Sequence, residues 1–389
     1  MDWNFKIKKP EAGTPLSWEV YFPPGLAQTT GEKLQISLSE IQLPNQPEPK
    51  IRVFPEKIKL ENTNAHQITY LASYAHYIRD IRLIVARTND WDNRSEVREK
   101  EWDRVLQETV PIIKHLFRDT KFYEIKNNLH ISFFEKELAI TLSIFGEPSY
   151  KRGVKAVFPT SAPIPEDLAS NLIADCFKHF GQSPDSVSSI YLPFAGTLTF
   201  ITEWFLQQNQ TSLFSLPRKF ILNQLTLFPE KTLAFYEKKR QIERKTLKPQ
   251  VIVQDTDPAL KSYWDEEKSR WEKWIPELKN CIFLNSDFLR EDLELEIDGN
   301  SLVFIPLNPP YGFRKNEIGV KDDSLYQNIG KQLNKLVSNF SSGASAIGFI
   351  LCPTEEKWIQ CMNEMKKFKK KTIHVTHGGI DLRVLYFYK

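Results

Sequence analysis

The sequence predicts an α/β protein, with a doubly wound, mostly parallel sheet in its C-terminal half and a smaller α+β region before it. Three observations carry this expectation. Short apolar runs recur at 189–192, 250–254, 281–284, 302–305 and 346–352, with helix-length stretches between most of them. The run at 302–305 is continuously apolar, as in a strand buried on both faces. The first run ends in a glycine turn and the next two end in acids, at the strand ends where open α/β sheets place their ligands.

Length and composition set the outer bounds. A chain of 389 residues is long enough for two or three domains, and 41% apolar with 26% charged residues is the balance of a globular protein. The net charge of +3 is small, so any nucleic-acid surface must come from local clustering of cations. Cys176, Cys281, Cys352 and Cys361 are widely spaced and form no C-x-x-C pair, which argues against a zinc site or a disulfide framework. His374 and His377 have no third ligand close in sequence, so no metal is expected. Met1-Asp2-Trp3 begins no signal peptide, and no apolar run reaches the roughly 18 residues that a membrane helix needs. The expected location is the cytoplasm, with no membrane partner; the sequence leaves the oligomeric state open.

The N-terminal elements follow in order. Leu34, Ile36 and Leu38 alternate with polar residues and predict a strand, and 50–54 is a second short candidate. Tyr70, Leu71, Tyr74, Ile78, Ile81 and Ile84 recur at helical spacing, as do Val105, Val110, Ile113 and Leu116. Residues 129–133 and 138–144 read as strands. Arg79 and Arg82 are basic residues that could line a phosphate-binding face.

Residues 151–180 read as a linker and connecting helix. Lys151-Arg152-Gly153 opens it, and Ala162-Pro163-Ile164-Pro165-Glu166-Asp167-Leu168-Ala169 starts a helix whose acidic first turn suits the helix dipole. The strand near 189 then ends in Leu192-Pro193-Phe194-Ala195-Gly196-Thr197-Leu198-Thr199, where glycine would let backbone N–H groups approach an anion. Lys238-Lys239-Arg240 lies in the densest basic cluster of the chain, a candidate phosphate track. The strand near 250 ends in Asp255-Thr256-Asp257-Pro258; an acid there can accept hydrogen bonds from ribose hydroxyls, and Asp257 can cap the next helix. Asp287 ends the strand that follows.

Asn308-Pro309-Pro310-Tyr311 follows the buried run at 302–305. The prolines cannot donate to a sheet ladder, so the strand stops here. The Asn308 amide offers an acceptor, Pro309 fixes a backbone in which a carbonyl can be a second, and Tyr311 offers a flat face. Two acceptors beside an aromatic ring suit a planar base carrying an exocyclic amine.

This stretch resembles motif IV of the amino-methyltransferases that use S-adenosylmethionine (SAM). Together with the Lys-Arg-Gly linker, the glycine turn, Asp-x-Asp-Pro, the acid-ended strand and Gly378-Gly379 near the C-terminus, it is similar to the THUMP-domain class I RNA methyltransferases of the guanine-N2 type. The similarity runs from about residue 150 to the C-terminus; before that the chain fits in length and pattern only.

The resemblance implies a ferredoxin-like subdomain at 1–65, a THUMP-like RNA-binding region at 66–150 and a Rossmann-like methyltransferase domain at 181–389. It implies SAM as cofactor, held by Pro193, Gly196, Thr197, Thr199, Asp255, Asp257 and Asp287, with Asp255 at the ribose and Asp287 at the adenine amine. Asn308, Pro309, Pro310 and Tyr311 would be catalytic. Structured RNA, ribosomal or transfer, would be the partner, held by Arg79, Arg82, Lys151, Arg152, Lys238, Lys239 and Arg240.

The chain departs from the family pattern at Leu192, where an acid is usual, and at Leu198, where a glycine is usual. The departures predict weaker SAM binding. They raise a second possibility, a non-catalytic RNA-binding protein derived from such an enzyme. A DNA adenine-N6 methyltransferase would share the Asn-Pro-Pro-Tyr chemistry but not the linker or the C-terminal hairpin.

Overall fold

The computed structural model describes residues 6–7, 9–11, 13–41, 46–88, 98–118, 128–134, 137–155, 163–239, 249–290, 299, 301–312 and 324–389. The chain divides into two compact units. One comprises Met1–Phe22, Ala27–Gly153 and Ser212–Glu243; the other comprises Pro23–Leu26, Val154–Thr211 and Arg244–Lys389.

The first unit is built on one antiparallel sheet. Its elements are β1 (Lys6–Ile7), β2 (Leu16–Tyr21), α1 (Ala27–Ser39), β3 (Lys50–Val53), β4 (Ile58–Thr63), α2 (Ala65–Tyr74), β5 (Asp80–Thr88), α3 (Arg98–Leu116), β6 (Leu129–Phe134) and β7 (Glu137–Ser143). The order is β3-β4-β2-β5-β7-β6, with β1 also on β5. Strands β2 to β5 with their two helices form a βαββαβ unit in the ferredoxin-like order. That unit runs to Thr88, so the boundary expected after residue 65 falls inside one sheet.

Two local elements differ from the sequence expectation. Leu34, Ile36 and Leu38 lie on helix α1, not on a strand. Leu34 and Leu38 are buried while Ile36 is 58% exposed, because four-residue spacing puts the first two on one helix face. The helical pattern from Tyr70 stops at Tyr74: Asn64 caps α2 through a reciprocal pair of hydrogen bonds with Gln67, and Ile81 and Ile84 belong to β5. Their three-residue spacing puts them on opposite faces of a strand, and both are buried.

The second unit holds α4 (Glu166–His179), β8 (Val187–Pro193), α5 (Thr199–Gln208), β9 (Gln250–Asp255), α7 (Leu260–Trp271), β10 (Ile282–Asn285), β11 (Leu302–Leu307), α8 (Leu325–Ser338), β12 (Ser345–Cys352), α9 (Glu355–Glu364), β13 (Lys369–His377) and β14 (Ile380–Tyr388); α6 (Glu230–Lys239) lies in the inserted segment of the first unit. Its sheet has the order β10-β9-β8-β11-β12-β14-β13. Strands β8 to β12 are parallel and β14 runs against β12. The chain steps outward from β8 to β10, then returns to β11 on the other side of β8, so a topological switch point lies between β8 and β11.

All six residues of β11 are buried, which explains its continuously apolar sequence. Tyr326, Ile329, Leu333, Leu336 and Val337 of α8 pack on Val303, Ile305 and Leu307 in the main core of this unit. Truncating Leu333 to alanine there would cost about 2–5 kcal/mol. Gly378 and Gly379 (φ 58° and 79°) close the β13–β14 hairpin, a two-residue turn that needs positive φ at both positions.

The inserted segment explains its own aromatic content. Phe228 lies 6.3 Å, centroid to centroid, from Trp18 of β2. Tyr236 on α6 accepts at its carbonyl from the Tyr74 hydroxyl at 2.6 Å, and its own hydroxyl lies 2.8 Å from His66 Nε2. Among the described residues no helix is long and apolar enough to cross a membrane, no metal-binding cluster of His, Cys, Asp or Glu occurs, and all four cysteines are free and buried.

Candidate active site at the carboxyl edge of the second sheet

Strands β10, β9, β8 and β11 are contiguous, so Asp287, Asp255, the Gly196 turn and Asn308 lie at four neighbouring carboxyl ends. Asn308 and Tyr311 are half-buried and Pro309 is buried. The Tyr311 hydroxyl donates to Asn308 Oδ1 at 3.0 Å. Burial pushes the Tyr311 phenol well above its ordinary pKa, so it is a neutral donor at neutral pH. Lys357 Nζ donates to the Tyr311 carbonyl at 2.7 Å, a contact that sequence patterning had not marked.

The glycine turn carries three positive φ angles in five residues: Phe194 (57°), Gly196 (46°) and Leu198 (60°). A Cβ on Gly196 would meet nothing within 4 Å, so the turn opens onto free space there. Its N–H donates to Asp255 Oδ2 at 3.0 Å, and its carbonyl accepts from Trp264 Nε1 at 2.9 Å. Asp255 Oδ1 accepts from the Asp257 N–H at 3.2 Å. Burial raises the Asp255 pKa, and these backbone donors oppose the rise.

Leu198 keeps the left-handed conformation expected of glycine, and its side chain is fully buried. Leu192 is 1% exposed and also belongs to the core. Pro193 is the last residue of β8 and is buried. Thr197 and Thr199 are buried too, with hydroxyls 3.2 Å apart. Lys155 Nζ lies 2.5 Å from Thr199 Oγ1 and 3.0 Å from Glu166 Oε1, bringing a cation to the start of α5.

The other two acids are partly engaged. Asp257 Oδ1 accepts from the Ala259 N–H at 2.9 Å, bracing the turn into α7. Asp287 Oδ1 accepts from the Leu289 N–H at 2.9 Å, and Oδ2 lies 3.3 Å from Arg290 Nε. A polar chain links β8, β9 and the turn after β10: the Tyr191 hydroxyl bonds Gln254 Oε1, and Gln254 Nε2 donates to Ser286 Oγ at 2.8 Å.

The cations expected at phosphates divide into two kinds. Lys151 and Lys238 are exposed. Arg82 is held by Asp80 at 2.7 Å and lies over the Tyr21 ring, and Arg79 lies over the Tyr150 ring. Arg152 departs from the expectation: it is 1% exposed and donates to the Ser149 and His76 carbonyls, each at 2.8 Å, so it cannot meet a phosphate. Lys239 ends α6, and Arg240 lies outside the described residues.

No family model matches the chain, and no curated protein does. Solved structures share its fold. A possible methylase from Clostridium difficile 630 superposes with a TM-score of 0.68 at 14% identity, covering 96% of this chain and 98% of that one. SMU.472, provisionally a methyltransferase and complexed with SAH, gives 0.68 at 14%, covering 97% and 98%. A predicted N6-adenine-specific DNA methylase from Listeria monocytogenes str. 4b F2365 gives 0.66 at 16%, covering 95% and 96%. At these identities the likeness establishes the α/β fold of the chain, with its Rossmann-like sheet.

Proposed function

We propose that the chain transfers a methyl group from SAM to the exocyclic amine of a base in structured RNA, with guanine N2 as the target. The observation that carries this is the Asn308–Tyr311 loop, which sets an amide acceptor and an aromatic ring beside the switch point of a Rossmann-like sheet. The residues present fit SAM. Gly196 faces open space, Asp255 stands beside it for the ribose hydroxyls, and the half-buried Asp287 stands one strand further out for the adenine amine. The start of α5, with Lys155 close by, suits a carboxylate. SAM supplies an electrophilic methyl when bound.

The chain's own residues then have positioning to do. Asn308 Oδ1 accepts an N–H of the target amine and keeps the nitrogen lone pair directed outward. The Tyr311 ring supports the base, which must leave its stack to enter. No strong base is required, because a methylated amine loses its proton readily. The RNA assignment is supported by the ferredoxin-like unit and by exposed Lys151 and Lys238.

The test is transfer from isotopically labelled SAM to total RNA and to duplex DNA, followed by digestion to nucleosides. N2-methylguanosine is the expected product. N6-methyladenine in DNA would replace the substrate and keep the site. SAM binding without transfer to either would favour the non-catalytic RNA-binding protein.

A further inference from the structure

The Asn308–Tyr311 loop has an anchoring problem. Two of its four residues are prolines, which have no N–H, so the loop can be held only by its remaining amides, its carbonyls and its side chains. One link is internal, from the Tyr311 hydroxyl to Asn308 Oδ1. It fixes the two side chains relative to each other but not relative to the sheet.

An external link comes from Lys357. Its ammonium donates to the Tyr311 carbonyl at 2.7 Å and lies 5.5 Å from the centroid of the Tyr326 ring on α8. Lys357 sits in the first turn of α9, where the helix dipole disfavours a cation; Glu355 and Glu356 beside it are the residue type that position prefers. The placement is therefore locally unfavourable and is offset by what the ammonium reaches. The helix that carries it is well fixed. Thr354 Oγ1 accepts from the Lys357 N–H at 3.3 Å, Trp358 Nε1 donates to Thr372 Oγ1 at 3.0 Å, and Glu355 pairs with Arg383 of β14 at 3.0 Å.

We propose that Lys357 is a positioning residue. It clamps the loop through the Tyr311 carbonyl and so sets the plane in which Asn308 and Tyr311 receive the target amine. This rests on the reading of residues 308–311 as the amine-binding loop.

The test uses the full chain with Lys357→Met and Lys357→Arg. In the methionine variant kcat should fall on the order of 10- to 100-fold, as expected for misplaced reacting groups. The Kd for SAM should stay within about twofold, since the ammonium of Lys357 bonds the Tyr311 carbonyl of the amine-binding loop and lies by the Tyr326 ring. Arginine keeps a charged donor and should restore most of kcat. Hydrogen exchange gives a readout independent of activity. The Tyr311 and Gly312 amides should exchange faster in the methionine variant, while the β13–β14 amides serve as an unchanged reference. Wild-type kcat together with wild-type exchange in Lys357→Met would overturn the proposal. Equal loss in both variants would overturn it too, because it would mark a packing role. A wild-type chain that transfers no methyl would instead defeat the amine-binding reading, and the exchange comparison would still decide whether the clamp exists.

Discussion

The Tyr311 hydroxyl donates to Asn308 Oδ1 at 3.0 Å, so the two side chains suited to receive a base are joined to each other. The bond orients the Asn308 amide with its oxygen toward Tyr311 and leaves that oxygen one lone pair for an amine. Asn308→Ala should lower kcat at least 100-fold with SAM affinity nearly unchanged. Tyr311→Phe keeps the ring and removes the donor; it should cost about 0.5–1.5 kcal/mol of transition-state stabilisation, roughly a 2- to 13-fold loss. Steady-state kinetics with a calorimetric SAM titration checks both. Wild-type rates in Asn308→Ala would remove the proposed mechanism.

Asp255 gives the pH dependence. Burial, the largest influence, raises its pKa above the usual aspartate value. The folded chain therefore binds this proton more tightly than the unfolded chain does. The contribution to stability is full below the usual pKa and falls as pH rises toward the raised one. Ribose hydroxyls favour the ionised form, so SAM affinity should change in the opposite sense, weakening on acidification through that same window. Asp255→Asn should abolish the acid limb, and Asp255→Ala should cost about 1–3 kcal/mol of SAM binding. A SAM titration repeated across pH in wild type and Asp255→Asn is the measurement.

Much of the second unit was legible because its signals are local. A continuously apolar run can be a buried strand or a buried helix, and a run of six residues bounded by Asn-Pro-Pro has strand length and is too short for a helix. The acids at the ends of β9 and β10 and the paired glycines of the last hairpin were legible for the same reason. What stayed hidden depends on distant parts of the chain. Lys357 looks like any helix-start lysine until the fold brings it to Tyr311, 46 residues away. Arg152 reads as a surface cation until the His76 carbonyl is placed against it. The exchange of segments between units is equally invisible: Ser212–Glu243 packs in the first unit and Pro23–Leu26 in the second. A fragment starting near residue 160 would carry Phe228 and Tyr236 without the residues that bury them, so it cannot test which unit binds RNA.

Point substitutions can. Lys151→Ala with Lys238→Ala should weaken RNA binding at low salt and reduce the slope of log K against log salt by about 1 per lysine that meets a phosphate. Arg152→Ala should behave differently. It removes a buried cation from two carbonyls and should destabilise the first unit by about 2–4 kcal/mol. Filter binding across a salt series, paired with denaturant melts, separates the two classes. A stable Arg152→Ala chain with lowered RNA affinity would contradict the buried role.

Leu198 decides how the departure from the glycine pattern should be read. A leucine at φ 60° costs roughly 1–2 kcal/mol relative to glycine. The same side chain is fully buried, and removing a buried leucine costs about 2–5 kcal/mol. The second effect is the larger, so Leu198→Gly should destabilise the chain by roughly 1–3 kcal/mol. The leucine packs into the core rather than toward the open side of Gly196, so SAM affinity should change by less than about threefold, under 0.7 kcal/mol. The buried Leu192 has the same status, and Leu192→Asp would put a carboxylate into the core at a cost of several kcal/mol. Thermal melts and SAM titration on the two single variants test this. If Leu198→Gly tightened SAM binding tenfold or more, the leucine would be obstructing the cofactor and not serving as core.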